Sequence, residues 1–124
     1  CPPVPDRSKY GNRYIWPLYH TYDIYTVKRN GKGLKKLVSS PGYDAEATLS
    51  ADGSKMIFTS DRNGDLDLYV MDMRTKKITQ VTNQLGYDGG AWFSADGKQI
   101  IWRASRPTTE AEVKEYKDLL KEGM

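Results

Sequence analysis

At 124 residues the chain is long enough for one domain and too short for several. Its net charge of +3 is mild and does not by itself suggest nucleic acid, which would call for a clustered basic face, and no run approaches the ~18 apolar residues of a membrane span. A single Cys excludes an intrachain disulfide, and nine Tyr against two Phe suit twisted, half-buried sheets, where the ring packs and the hydroxyl reaches water.

In chain order, residues 1–12 are proline-rich (Pro2, Pro3, Pro5) and without periodicity, which predicts an irregular loop. Cys1 reads either as the lipidated first residue of a bacterial lipoprotein or as an interior thiol; no signal segment supports the first, and the second is favoured. Residues 13–19 are expected as a strand that bulges or ends at Pro17, which has no N–H for a ladder. Residues 22–29 and 34–38 are expected as two more strands, joined by the hairpin turn Asn30-Gly31-Lys32-Gly33. Residues 46–50, 55–60, 66–73 and 77–82 are the next four. The turn Ala51-Asp52-Gly53-Ser54 supplies the positive φ of a tight hairpin. Residues 90–95 and 99–104 are two more. The pattern then breaks into an amphipathic helix over 108–122. Thr109 and Glu112 form its capping box, Val113, Tyr116, Leu119 and Leu120 its apolar face, and Glu110 and Lys114 an i,i+4 pair; Gly123 stops it.

These elements repeat. Adding 44 to Gly42-Tyr43-Asp44, Ser50-Ala51-Asp52-Gly53 and Ile57-Phe58 gives Gly86-Tyr87-Asp88, Ser94-Ala95-Asp96-Gly97 and Ile101-Trp102 without a gap. Subtracting 44 from Asp67-Leu68-Tyr69 gives Asp23-Ile24-Tyr25. Four short antiparallel strands in about 40–45 residues is the content of one propeller blade. The fold class expected is therefore all-β, with consecutive four-stranded antiparallel blades, one complete and two partial, and one C-terminal insertion helix. The boundaries are 1–44 for the N-terminal loop and a partial blade, 45–88 for the complete blade, 89–107 for the second partial blade and 108–124 for the helix. About nine strands are expected. Tyr14, Leu49, Ile57, Phe58, Leu68, Val70, Ile101 and Trp102 are expected in blade or inter-blade cores.

The run from Ser50 to Asp72, with Ser-Ala-Asp-Gly, Met56-Ile57-Phe58, Thr59-Ser60, a polar turn and Asp67-Leu68-Tyr69, resembles the TolB-like, WD40-like β-propeller repeat. Ala51 and Ala95 stand where that repeat usually has Pro. The resemblance covers roughly residues 13–106, and the helix is similar to an insertion found in one subgroup of large bacterial chains. It implies a propeller of six or seven blades. Two and a fraction blades do not close one, so it also implies an internal piece of a larger bacterial protein, periplasmic or extracellular. The first blade lacks its first strand, and the third lacks its third and fourth. Such edges recruit partners: the rest of the parent propeller or a second copy of the chain.

Candidate sites are few. Asp44, Glu46 and Asp88 recur at the loops leading into the innermost strands, where a ring of carboxylates would meet a cation or a basic peptide; the alternative is that Tyr-Asp caps a turn. Asp61, Asn63, Asp65 and Asp67 alternate like calcium ligands but lack the Gly and Glu of an EF-hand, so they read as a turn. His20 is the single histidine and forms no triad with Cys1. Lys28, Arg29, Lys32, Lys35 and Lys36 cluster near a turn, either for an anionic partner or as edge protection. No catalytic residue, metal site or cofactor is expected. The reading is a non-catalytic binding or scaffold module for a protein or peptide. The alternatives are an accessory propeller of a peptidase or hydrolase and a structural piece without a function of its own.

Overall fold

The computed structural model describes residue 6 and residues 8–124. The readings of Cys1 and of the proline-rich start lie outside the described residues. Strands form where the repeat places them. β1 (Ile24–Thr26) pairs antiparallel with β2 (Lys35–Val38). β3 (Asp44–Leu49), β4 (Lys55–Ser60), β5 (Asp67–Asp72) and β6 (Ile78–Gln80) make one four-stranded antiparallel sheet in sequence order. β7 (Asp88–Phe93) pairs with β8 (Ile100–Ala104) in a third sheet, and α1 (Glu110–Lys121) follows. The chain is thus a row of antiparallel blades, the middle one complete, with one helix.

The hairpins repeat down to single atoms. Ser50 Oγ donates to Asp52 Oδ1 (2.6 Å) and accepts from the Lys55 N–H (3.0 Å). Ser94 does the same with Asp96 (2.6 Å) and Gln99 (3.0 Å). Gly53 and Gly97 take left-handed backbone in both turns, at φ +69° and +68°.

β4 carries the core, buried from Met56 to Ser60. Strand alternation sends Met56 and Phe58 to one face, where they pack with Tyr69, Met71, Ile24 and Val38 of the preceding sheet. Ile57 goes to the other face, against Leu68 and Ala91 of the following sheet. Each sheet is therefore held by the next one, face to face.

Several expectations are corrected. Residues 13–19 form no strand, so there are eight strands among the described residues, not nine. Pro17 offers no ladder hydrogen, and the Leu18 N–H donates instead to the Gly123 carbonyl beyond the helix (2.7 Å). Leu18 is buried there with Tyr43, Leu66 and Tyr87. Tyr14 is consequently 82% exposed. Leu49 is also exposed. Ile101 (71%) and Trp102 are exposed because no strand pairs with the outer edge of β8 among the described residues. Val70 is half-buried. Ile57, Phe58 and Leu68 are fully buried, as expected.

The helix keeps its capping box: Thr109 Oγ1 accepts from the Glu112 N–H (3.2 Å), and the Glu112 carboxylate accepts from the Thr109 N–H (3.0 Å). Val113, Tyr116, Leu119 and Leu120 are its half-buried face. Lys114 pairs with Asp118 (2.6 Å) one turn on, not with Glu110 one turn back.

Candidate binding cleft at the blade ends

The strand registers bring Asp44, Ser60 and Asp67 side by side at one end of the middle blade, and Asp88 and Ala104 at the same end of the next. Asp44 and Asp88 do not face solvent there. They are 1% and 0% exposed, and each is met by an arginine eighteen residues later in the chain. Arg62 Nη2 donates to Asp44 Oδ1 (2.7 Å), and Arg106 Nη2 to both oxygens of Asp88 (2.6 and 2.9 Å). Ser40 Oγ donates to the second Asp44 oxygen (2.8 Å), and Trp102 Nε1 to Asp88 (2.8 Å). A buried carboxylate needs such donors to remain charged.

Glu46 sits on a β-bulge of β3 with φ +57°, and Gly90 occupies the same place on β7 with φ +61°. The bulge swings the Glu46 carboxylate onto the neighbouring blade. It accepts from Thr59 Oγ1 (3.0 Å), the Gly90 N–H (3.0 Å) and the Tyr87 hydroxyl (3.0 and 3.1 Å). Gly89 leaves the room: a Cβ there would overlap both the Tyr87 hydroxyl and the Glu46 carboxylate. Asp44, Glu46 and Asp88 thus lie in one neighbourhood, two of them sealed and one on the surface.

Tyr87 forms a wall. Trp16 meets its ring edge-on (centroids 5.3 Å, 84°), and the Arg103 guanidinium lies over it at 5.4 Å. Arg103 Nη2 also donates to the hydroxyl (3.3 Å). Burial pushes the Tyr87 phenol up from its ordinary pKa, and the hydrogen bond to Tyr87 raises that of Arg103. α1 closes the opposite side. Tyr116 donates to Asp65 Oδ1 (2.5 Å), whose other oxygen accepts from the Gly86 N–H (3.0 Å). Between these walls lies a cleft of about 350 Å³, lined by Trp16, Leu18, Leu66, Tyr87, Arg103 and Tyr116 among others. Such a volume and mostly apolar lining suit a side chain or two of a ligand.

The remaining candidates are spent locally. Asp61 Oδ1 accepts from the Tyr43 N–H (2.7 Å), Asn63 donates to Gln80 (2.6 Å), and Asp67 accepts from Thr82 (2.9 Å) and Gln80 (3.0 Å). Burial, opposed by the Thr82 and Gln80 bonds, pushes the Asp67 carboxyl up. Among the described residues no three His, Cys, Asp or Glu side chains converge as metal ligands. His20 is exposed, its Nδ1 3.8 Å from Asp61 Oδ2. In the basic cluster, Lys36 pairs with Asp23 (2.6 Å), and Lys28, Arg29, Lys32 and Lys35 are exposed. No helix among the described residues is long and apolar enough to cross a membrane.

Arg62 and Arg106 escaped the sequence reading, although they share the spacing of the aspartates they serve. The cleft itself had no local signal, since residues 14–18 and α1 meet from opposite ends of the chain.

The overall fold has counterparts among solved structures. The chain is similar to the crystal structure of TolB from Acinetobacter baumannii, at 29% identity and a TM-score of 0.63, over 70% of this chain and 22% of that one. It shares the fold of a protein described as a TolB from Agrobacterium tumefaciens, at 18% identity and a TM-score of 0.62, over 71% of this chain and 32% of that one. It therefore corresponds to a third or less of the length of either. The TolB beta propeller domain matches residues 17–117, most of the chain and all of its strands, and the chain belongs to that family.

Proposed function

We propose that the chain is a non-catalytic part of a propeller that binds a protein or peptide, and that the cleft between Tyr87 and α1 receives it. One observation carries the reading: the cleft combines aromatic and aliphatic walls with a single cation, Arg103, whose guanidinium is steered by the Tyr87 ring. Rigid aromatic walls with one fixed charge are how protein surfaces hold a short peptide at low entropic cost. Asp44 and Asp88 serve as struts under this end of the blades, and Glu46 positions Tyr87. The family relationship supports placing the protein in the periplasm or outside the cell.

The test is a peptide-display selection on the immobilised chain, followed by NMR titration of the enriched peptides. Amide shifts should cluster at Trp16, Leu66, Tyr87, Arg103 and Tyr116, and Trp16→Ala should weaken binding by about tenfold or more. The absence of any enriched peptide, or shifts confined to another face, refutes the cleft. Peptide cleavage that a substitution in this chain abolishes refutes the non-catalytic reading.

A further inference from the structure

The repeat of 44 places the same joint in two sheets and gives it different partners. Asp23, Tyr25 and Lys36 map onto Asp67, Tyr69 and Gln80 of the complete middle blade. The backbone register is the same at both, with Tyr25 opposite Lys36 and Tyr69 opposite Gln80. At the first joint Lys36 Nζ lies 2.6 Å from Asp23 Oδ2, and the Tyr25 hydroxyl donates to the same oxygen (3.4 Å). At the second the lysine is replaced by glutamine. Asp67 is 3% exposed, and the side chains that donate to it, Gln80 (3.0 Å) and Thr82 (2.9 Å), are both neutral. The buried Tyr69 hydroxyl makes no hydrogen bond among the described residues, so it gives Asp67 none. We propose that Asp67 is a proton switch in the middle blade: it keeps its proton to a higher pH than Asp23 does, and its ionisation loosens the β5–β6 edge that rests on it.

The surrounding charges favour the acid form. Asp65, on the turn before β5, and Asp88, at the head of β7, are carboxylates near it. Asp65 accepts from Tyr116 of α1 and from the Leu66 and Gly86 N–H groups, all of them neutral donors. Two cations reach this end of the blades, and both are committed elsewhere: Arg62 to Asp44 and Arg106 to Asp88. Burial pushes the Asp67 carboxyl up, the bonds from Thr82 and Gln80 oppose it, and Asp65 and Asp88 add to it. At Asp23 the Lys36 hydrogen bond, first of all, holds the carboxyl below the usual range. Two equivalent acids are thus driven apart by their settings. The link to the edge runs through Thr82, whose hydroxyl donates to Asp67 and accepts from the Leu68 N–H (2.9 Å). The Val81 N–H in turn donates to the Leu68 carbonyl (2.8 Å). Because the folded pKa of Asp67 is raised, the stability that this joint contributes is complete below the ordinary aspartate value of 3.8 and is lost as pH rises through the folded midpoint.

Carboxyl-carbon NMR of the isotopically labelled chain should place the Asp67 midpoint above 3.8 and the Asp23 midpoint below it. Gln80→Lys, at an exposed position, restores the cation of the first joint and should bring the Asp67 midpoint down by about one pH unit or more. Hydrogen-exchange protection of the Leu68 and Val81 amides should fall as pH rises through the Asp67 midpoint, and Asp67→Asn should hold it level over the same range. An Asp67 midpoint at or below that of Asp23 overturns the proposal, and so does one that Gln80→Lys leaves in place. Protection at Leu68 and Val81 that ignores the midpoint overturns the link to the edge.

Discussion

Arg62 lays its guanidinium 2.7 Å from Asp44, a carboxylate with almost no surface left, and Arg106 repeats the contact with Asp88 one blade later. Arg62 also stacks over the Phe58 and Tyr69 rings at 5.2 and 4.9 Å. Removing one partner of a buried pair leaves an uncompensated charge, at a cost of about 3–5 kcal/mol. Arg62→Leu should fall near the lower end, because the guanidinium itself is partly open to water. Asp44→Leu combined with Arg62→Leu should recover much of that loss, since both charges leave together. Arg62→Lys should not rescue, lacking the planar fork and the stacking face. Urea midpoints measure all three. A loss below about 1 kcal/mol for Arg62→Leu would mean that Asp44 is hydrated without its arginine.

Phe58 touches both the β1–β2 sheet and its own blade, through Ile24, Val38 and Tyr69. Phe58→Ala should cost about 3–5 kcal/mol, because the ring is fully buried and the sheets around it are tied by hydrogen bonds that resist collapse. A loss below about half a kcal/mol would show that the β1–β2 sheet moves in to fill the space.

The repeat made the blades legible because its signals are local. Ser50-Ala51-Asp52-Gly53 and Ser94-Ala95-Asp96-Gly97 encode their own turns through side-chain to backbone bonds, and Thr109 with Glu112 encodes its own cap. Residues 13–19 misled because an apolar-aromatic stretch fits a strand or a docked loop equally well. The choice was made by Gly123 and the helix, about a hundred residues away. Leu49 and Ile101 misled differently. Their apolar type in a strand pattern suggests a core, but both are exposed among the described residues. Asp44 and Asp88 were found as a recurring pair, yet their burial follows from Arg62 and Arg106, which a repeat comparison extended to the turns would also align.

The helix start should respond to acid. Hydrogen bonds from the Thr109 and Thr108 N–H groups, and then from the Thr108 hydroxyl, hold the Glu112 carboxyl at about 2, below its ordinary 4.5. The pKa is depressed in the folded state, so the contribution is complete above the ordinary glutamate range. It is lost as pH falls from about 4.5 toward about 2. Cα chemical shifts of residues 110–113 should lose helical character through that window, and Glu112→Gln should flatten the step. An unchanged step in the variant would assign it to other carboxylates.

Glu46 is the final test, because it adopts backbone that glycine holds on the next blade. At φ +57° a Cβ is strained, and Gly90 shows the position without it at +61°. Glu46→Ala and Glu46→Gly both delete the carboxylate that accepts from Thr59, Gly90 and Tyr87, so their difference isolates the backbone. Glycine loses more entropy on folding, but alanine retains the left-handed strain, and at positive φ the strain outweighs the entropy. Glu46→Gly should therefore be the more stable variant by about 1 kcal/mol. Both should lie below the native chain, whose carboxylate accepts from Thr59 of the neighbouring strand and from Tyr87 and Gly90 of the next blade. Chemical denaturation of the three proteins decides the matter. An alanine variant as stable as the glycine one would show that the bulge relaxes once the carboxylate is gone, and that the contacts to Tyr87 and Gly90, rather than the β3 backbone, impose the left-handed turn.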